Sequence, residues 1–187
     1  DAWSGYMAER ERFMEAIKSS NNAVIYSGDS HNAWASNIKN GDGNLAAVEY
    51  AGTSVTSPGW EQRMKYISPD LTAAGFMAAN PDLRYTNTED RGFMVFEVTH
   101  DKHAGEYVYV SNIGNRQCSH FCETGLTLYP KGKGTGVRGS EDGLQLSSCE
   151  LYNSALNGNS GAGSKEVVLK ERKQLYGIQS VPSKGTP

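Results

Sequence analysis

The chain has 187 residues, of which 37% are hydrophobic, and a formal net charge of −3 at pH 7. This length and apolar content suffice for a packed core, which excludes a wholly disordered chain. Acidic and basic residues are interspersed without an excess of Lys and Arg, so the sequence predicts no nucleic-acid-binding surface. It contains no apolar run of about 18 residues, so we expect no membrane-spanning helix.

The N-terminal residues already carry a helical pattern. The chain begins at Asp1 rather than Met, and aromatic residues follow at once, unlike in a signal peptide. We therefore expect that a further segment precedes this chain in the complete protein. Apolar residues recur at helical spacing from Trp3 to Ile17, which predicts an amphipathic helix ending near Asn21–Asn22.

Strands and helices are predicted to alternate over the next residues, as in α/β proteins. Ala23–Tyr26 is a short apolar run without alternation, typical of a strand buried on both faces in the middle of a sheet. A helix is predicted around Trp34 and Ile38, a strand over Leu45–Ala51 and a helix over 60–79. Four apolar residues of the last helix are expected to face the core: Met64, Ile67, Leu71 and Phe76.

Two further segments predict an antiparallel pair of strands. Phe93–Val98 and Tyr107–Val110 are rich in β-branched and aromatic residues, and Gly105 suggests the turn between them. The fold class predicted for this part of the chain is therefore α/β or α+β.

After Ile113 the composition changes to Gly, Ser and Asn. Short strands are predicted near 124–129 and 144–152, with a last one near 167–169. We therefore divide the chain into a first domain over 1–113 and a β-rich extension over 114–187.

The turn Gly28–Asp29–Ser30–His31 is the sharpest candidate site. It follows a predicted strand, and ligands of α/β proteins gather at the carboxyl ends of strands. A carboxylate and an imidazole two residues apart suit cations such as Fe, Zn, Mn or Ca. The structural alternative is that Asp29 caps the next helix and His31 only packs.

Two other clusters allow metal binding but have simpler explanations. His100, Asp101 and His103 fall in a predicted turn, where histidines are usually solvated. Cys118, His120 and Cys122 could bind zinc with Cys149 as fourth ligand. A disulfide from Cys118 or Cys122 to Cys149 is the alternative in an oxidising compartment.

Short motifs follow one another in a defined order over residues 1–112. They are Asp1–Ala2–Trp3–Ser4–Gly5–Tyr6 with Arg10 and Arg12; Val24–His31 with Trp34; Val48–Glu49–Tyr50; Thr53–Gly59; Asn80–Pro81; Tyr85; and Arg91–Gly92–Phe93. This order resembles the C-terminal half of the PhoD-like alkaline phosphatase/phosphodiesterase family. Ser4 stands where that family has a second Asp, and residues 114–187 carry no part of the resemblance.

The resemblance implies the fold and the chemistry of the whole enzyme. It implies the C-terminal half of a metallophosphoesterase αββα sandwich, an exported protein, and metal-dependent hydrolysis of phosphate mono- or diesters. It also implies that Asp29 and His31 bind metal and take part in catalysis, that the metals are Fe and Ca, and that a missing N-terminal half supplies the other ligands. At least two of Cys118, Cys122 and Cys149 are expected to be oxidised in an exported member, with Cys118 or Cys122 bonded to Cys149.

Three further residues are candidates for binding the phosphate ester substrate. Arg10 and Arg91 could offer positive charge to phosphate or form structural ion pairs. Ser54 lies in a loop rich in hydroxyl and N–H groups that could line the phosphate pocket or only pack. Two other functions stay open at this point. One is a structural or interaction protein that reuses the fold without turnover, and the other is a β-rich binding module in 114–187.

Overall fold

The computed structural model describes residues 3–20, 22–114, 119–128 and 143–158. After a 3-10 turn at Trp3–Gly5, its elements are α1 (Met7–Ile17), β1 (Ala23–Ser27), β2 (Ala33–Lys39), β3 (Leu45–Ala51), α2 (Trp60–Arg63), α3 (Pro69–Ala79), β4 (Leu83–Asn87), β5 (Gly92–Val98), β6 (His103–Val110), β7 (His120–Leu128), β8 (Gln145–Ser147) and α4 (Glu150–Gly158). Over these ranges, every helix is too short or too polar to cross a membrane.

The strands form two four-stranded sheets. The first sheet has the order β1-β3-β2-β4, with β1 parallel to β3 and the other neighbours antiparallel. The second sheet is an antiparallel meander in the order β5-β6-β7-β8. The predicted mixed fold of helices and strands is therefore confirmed, with two sheets at its centre.

Buried tyrosines join the two sheets across the core. Tyr50 and Tyr107 are almost fully buried, so their hydroxyl groups need partners inside the protein. Tyr50 donates to the carbonyl of Leu126 at 3.0 Å, and Tyr107 donates to the carbonyl of Trp34 at 2.6 Å. Each bond runs from one sheet to the other, so the sheets face each other. Other buried residues between them include Ala33, Ala35, Val48, Tyr85, Tyr109, Phe121, Leu128 and Leu144.

Helices lie on the outer sides of both sheets. On the first sheet, Phe76 of α3 packs its ring against Trp34 at 5.1 Å between centroids. On the second sheet, Tyr107 points into the core, and neighbouring residues of a strand point to opposite faces. Glu106 therefore points outward, and its carboxylate accepts the backbone N–H groups of Leu151 and Tyr152 in α4 at 2.6 and 2.7 Å. The order of layers is helix, sheet, sheet, helix.

A disulfide between Cys122 and Cys149 connects β7 to the start of α4, with 6.1 Å between the Cα atoms. The expected pairing of Cys149 with one of the earlier cysteines is confirmed, whereas Cys118 lies outside the described residues. Since both sulfur atoms are covalently bonded, they cannot serve as thiolate ligands, and the zinc hypothesis for these cysteines is wrong in this oxidised form.

The predicted helix at Trp34–Ile38 is wrong, because these residues form β2. Ala33 and Ala35 face the core, whereas Trp34 and Ser36 face the opposite side. This period of two is a strand pattern, and the small alanines let the second sheet approach closely.

The strand β1 also differs from its prediction. It lies at the edge of the first sheet and is only partly buried, and Tyr26 is 53% exposed. The apolar run is thus a strand, as predicted, but not one in the middle of the sheet that this chain forms.

The helix predicted over 60–79 is interrupted. It is divided into α2, which ends at Arg63, and α3, which starts at Pro69; Ser68 is extended because proline disfavours helical backbone in the preceding residue. Of the four apolar residues expected to face inward, Met64 and Phe76 are partly buried, whereas Ile67 and Leu71 are 42% and 64% exposed.

The hairpin of β5 and β6 is confirmed, but its turn is at 99–102 rather than near Gly105. Gly105 lies inside β6 opposite Phe96, and a Cβ atom there would come within 2.6 Å of the Tyr50 ring. This glycine is required by close packing and not by a turn.

The described parts of the predicted extension, 119–128 and 143–158, contribute strands to the second sheet and helix α4. The proposed boundary at 113/114 falls between β6 and β7, which are paired neighbours in the second sheet. Of the strand predicted over 144–152, only β8 forms, and α4 replaces the rest. The strand predicted near 167–169 lies outside the described residues.

Candidate active site

The turn after β1 has a backbone conformation that is uncommon for its residues. Asp29 and His31 have φ angles of 69° and 61°, in the left-handed region that side chains other than glycine seldom adopt. Such conformations cost on the order of 1 kcal/mol each and cluster at functional sites. The next element is β2, so Asp29 does not cap a helix, and the structural alternative for this residue is wrong. Its side chain is exposed.

His31 is held in one tautomer by a backbone contact. Its Nδ1 atom lies 2.8 Å from the carbonyl oxygen of Pro58, which can only accept. Nδ1 therefore carries the proton, and in the neutral ring Nε2 carries the lone pair that a cation requires. The ring is thus oriented as a metal ligand usually is, with its other nitrogen bonded to a backbone carbonyl.

Side-chain hydrogen bonds fix the turn to its neighbours. Asn32 is fully buried, and its amide donates to the carbonyl of Ser30 at 2.8 Å while its Oδ1 accepts the N–H of Trp60 at 3.2 Å. Thr53 Oγ1 lies 3.2 Å from the carbonyl oxygen of His31 and 2.8 Å from that of Asp90. The turn is therefore tied to both the 53–61 loop and the start of β5.

Arg91 is buried beside this loop, with 5% of its side chain exposed. Its guanidinium forms an ion pair with Glu61 and donates to the carbonyls of Glu89 and Asp90 at 3.1 and 2.9 Å. Burial alone would raise the pKa of Glu61, but hydrogen bonds from Arg91 and from the N–H of Gly59 lower the pKa below its usual value. Glu61 is therefore an anion at neutral pH.

The other two candidate substrate contacts lie in different places. Ser54 belongs to the same loop as Thr53, and its hydroxyl donates to the carbonyl of Ser57. Arg10 pairs with Glu11 and donates to the carbonyl of Lys39 at 3.3 Å. Because Lys39 ends β2 and the turn precedes β2, Arg10 lies at the opposite end of this strand from His31.

An open cavity of about 470 Å³, with both polar and apolar lining, lies beside the turn, and neither Asp29 nor His31 is among its lining residues. Ser27, Gly28 and Ser30 line one side, and Glu49 and Asp82 are among the residues on the others. Ser27 donates to the carboxylate of Glu49 at 2.6 Å.

Within the ranges that the structure describes, one group of three or more potential ligands lies close enough for a metal ion: Glu106, Cys122 and Cys149. The disulfide occupies both of its sulfur atoms. The candidates His100, Asp101 and His103 do not form such a group; His103 is buried against Tyr26, with 2.5 Å between Nε2 and the hydroxyl oxygen.

Sequence reasoning did not identify Asn32 and Glu61 as parts of this site, and it noted Gly59 only as the end of the Thr53–Gly59 motif. Their contacts join residues about thirty positions apart in the chain. No local pattern signals such contacts, although the Thr53–Gly59 motif ends beside two of them.

Comparison with known proteins shows which family the chain resembles. The family model described as PhoD-like phosphatase matches residues 1–107. The chain belongs to the PhoD-like phosphatase family. The resemblance noted from the motifs is thereby confirmed.

Known PhoD-like relatives are much longer than this chain. Alkaline phosphatase D of Bacillus subtilis (strain 168) is 32% identical over 113 residues, which cover 57% of this chain and 18% of that protein. A solved structure described as "Structure of PhoD" matches with a TM-score of 0.60 and 23% identity, covering 79% of this chain and 26% of that one. The match to the solved structure supports the fold, and it covers more of the chain than the residues that the family model matches.

Proposed function

We propose that this chain supplies His31 and Asp29 to the metal site of a phosphatase that hydrolyses phosphate mono- or diesters. The observation that carries the proposal is the hydrogen bond from His31 Nδ1 to the carbonyl of Pro58, which leaves Nε2 for a cation two residues after the exposed Asp29. Membership of the PhoD-like phosphatase family supports this proposal.

The donor set of the turn fits the proposed metals, Fe and Ca. Imidazole nitrogen suits iron, and carboxylate oxygen suits both ions. Bound metal would supply Lewis-acid polarisation of the phosphoryl group and an acidified water molecule. His31 and Asp29 would hold the ions, while Asn32 and Thr53 keep the turn in its strained conformation. Ser54 lies in the adjoining loop and is proposed to face the substrate.

Two ligands do not complete a metal site, so we propose that a preceding part of the same enzyme provides the rest. The relatives are several times longer than the matched segment, which supports this view. β1 is an edge strand, and its outer backbone groups suit the addition of another strand.

We also propose that the enzyme acts outside the cytoplasm. The Cys122–Cys149 disulfide supports this location, because structural disulfides persist in oxidising compartments.

The test is the substitution His31→Ala in the complete enzyme. We expect a loss of metal and at least about a 10³-fold fall in turnover, since one stabiliser of the transition state is worth about that much. The free energy of unfolding of the metal-free protein should change by no more than about 1 kcal/mol, because the residue lies on a partly exposed turn. His100→Ala, in the exposed turn after β5, is the matched control and should leave both properties unchanged.

Metal content, thermal unfolding and hydrolysis of aryl phosphate esters should be measured on the same preparations. Normal metal content with near-normal turnover in His31→Ala would exclude a ligand role. A lower melting temperature with intact turnover would indicate a packing histidine instead.

A further inference from the structure

One peptide unit lies between His31 and Glu61. The carbonyl oxygen of Pro58 accepts the hydrogen bond from His31 Nδ1, and the N–H of Gly59 in the same peptide donates to both carboxylate oxygens of Glu61 at 3.0 Å. The C=O and N–H groups are coupled by resonance in one plane. A negative charge at the N–H end therefore strengthens the carbonyl as an acceptor, as in other chains of hydrogen bonds.

The packing allows this peptide little movement. A Cβ atom on Gly59 would lie 2.3 Å from Oδ1 of Asn32 and 2.9 Å from the carbonyl oxygen of His31. Glycine is therefore required here by close approach. The next N–H, of Trp60, is held by the buried Asn32, so the peptide is fixed against the turn that it contacts.

Arg91 fixes the other end of this series of contacts. It is buried, forms an ion pair with Glu61 and is itself held by two backbone carbonyls. The carboxylate of Glu61 thus has a cationic partner on one side and the Gly59 N–H on the other.

We propose that Glu61 is a positioning residue that keeps His31 in the Nδ1–H tautomer through the Pro58–Gly59 peptide, so that Nε2 presents its lone pair to a cation. The inference deepens the proposed function and rests on it, since it takes His31 as a metal ligand. Metal-binding histidines commonly donate their second nitrogen to a carboxylate or a backbone carbonyl. Here the Glu61 carboxylate accepts the N–H of the peptide whose carbonyl accepts the hydrogen bond from His31. Arg91 orients that carboxylate through the ion pair.

The test combines spectroscopy with metal binding on the complete enzyme. The ¹⁵N chemical shifts of labelled histidine in the metal-free protein report the tautomer of His31, whose signals are assigned with His31→Ala. We expect the Nδ1–H form in the wild type and a mixture of tautomers in Glu61→Gln. Titration with Ca²⁺ alone and with Fe²⁺ alone should show affinity lowered about 10- to 100-fold in Glu61→Gln for the ion that His31 binds.

Glu15→Gln is the matched control, because Glu15 is exposed and pairs with Lys18 on α1. It should change neither the tautomer nor the metal affinity. If Glu61→Gln does not fold, Glu61→Asp replaces it, since the shorter side chain keeps a charge beside Arg91 while withdrawing from the Gly59 N–H. The same two measurements then apply.

An Nε2–H tautomer in the wild type would overturn the inference, as would unchanged tautomer and affinity in the Glu61 variants. In those cases a loss of metal in His31→Ala would still uphold the proposed function. Normal metal content in His31→Ala would instead sink the proposed function itself.

Discussion

His103 is a buried titratable residue outside the candidate site. It is 7% exposed, its Nε2 lies 2.5 Å from the Tyr26 hydroxyl oxygen, and aromatic rings of Tyr50 and Phe96 pack beside it. Among the described residues, its Nδ1 has no hydrogen-bond partner. Burial lowers the pKa of His103 below the usual 6.5, because the charged imidazolium would lose its hydration. The folded protein therefore favours the neutral ring.

This lowered pKa predicts a loss of stability in acid. Well above pH 6.5 both the folded and the unfolded chain hold His103 neutral, so the full stability is present. As the pH falls below 6.5 towards the folded-state pKa, the unfolded chain binds a proton that the folded chain resists. The free energy of unfolding should then fall by up to about 1.4 kcal/mol per pH unit from this residue.

Urea unfolding at several pH values between about 5 and 8 would measure this slope. His103→Gln should be less stable at neutral pH but should show a shallower fall in acid than the wild type. His100→Gln, at an exposed position, serves as the control. Equal slopes in His103→Gln and the wild type would show that His103 does not titrate as described.

At the residue scale, the sequence predicted which side chains to suspect but not how they are held. The Gly28–His31 motif was visible because its residues are adjacent in the chain. The support for His31 comes from Pro58 and Glu61, which only the packing of the 53–61 loop brings near. Arg91 was identified as a possible phosphate contact, and the structure finds its guanidinium bonded to Glu61 and two carbonyls.

At the element scale, helix α4 is held to the second sheet by a covalent bond and a buried carboxylate. The disulfide joins Cys149, just before the helix, to Cys122, and Glu106 accepts two N–H groups of its first turn. A negative charge is favourable there, because free N–H groups give the helix start a partial positive charge. In addition, the side chains of Tyr152 and His120 contact each other, with 3.0 Å between the hydroxyl oxygen and Nδ1.

Removal of the disulfide should lower stability without detaching the helix completely. The bond spans 27 residues, for which loop-closure entropy predicts a loss of about 3.5 kcal/mol. We expect this loss in Cys149→Ala by urea unfolding, while Glu106 still binds the helix start. Cys118→Ala, which leaves this disulfide intact, is the control.

Mass spectrometry without reductant tests the pairing directly. It should find Cys122 and Cys149 in one cross-linked peptide pair. Three free thiols in protein purified under oxidising conditions would contradict both the disulfide and the proposed location.

The type of an element was predictable where its own residue pattern indicates it. The hairpin of β5 and β6 shows its β-branched and aromatic residues in the sequence, and its pairing was correctly predicted. The prediction of a helix at β2 is wrong, because its mixture of small and polar residues with Trp34 carries no clear strand pattern. Its strand conformation depends on pairing with β3 and β4. α4 was missed because its first turn is stabilised by Glu106, a residue distant in sequence.

At the scale of the whole molecule, the chain should have little phosphatase activity on its own. The described candidate turn offers two ligands, and one histidine with one carboxylate binds metal weakly. We expect the purified chain to hydrolyse chromogenic phosphate monoesters and diesters at least about 10³-fold more slowly than the complete enzyme. Adding the preceding segment as a separate polypeptide should restore part of the activity if it pairs with β1.

Any residual activity of the isolated chain should be compared with that of its His31→Ala variant. Equal low rates of ester hydrolysis in the two proteins would show that the residual activity does not depend on His31. Full turnover from the isolated chain would show that it holds a complete site, and would refute the proposal that another segment supplies the remaining ligands.

The sequence by itself determined the family and the position of the candidate turn, because the order of short motifs is written along the chain and each motif is local. It also indicated a mixed fold, since strand and helix periodicities reflect burial on one face. The tertiary structure decided that β1 lies at an edge, that 119–128 and 143–158 pack with the rest, and that Glu61 supports His31. These features arise from contacts between distant residues, and such contacts leave no periodic signal in either partner alone.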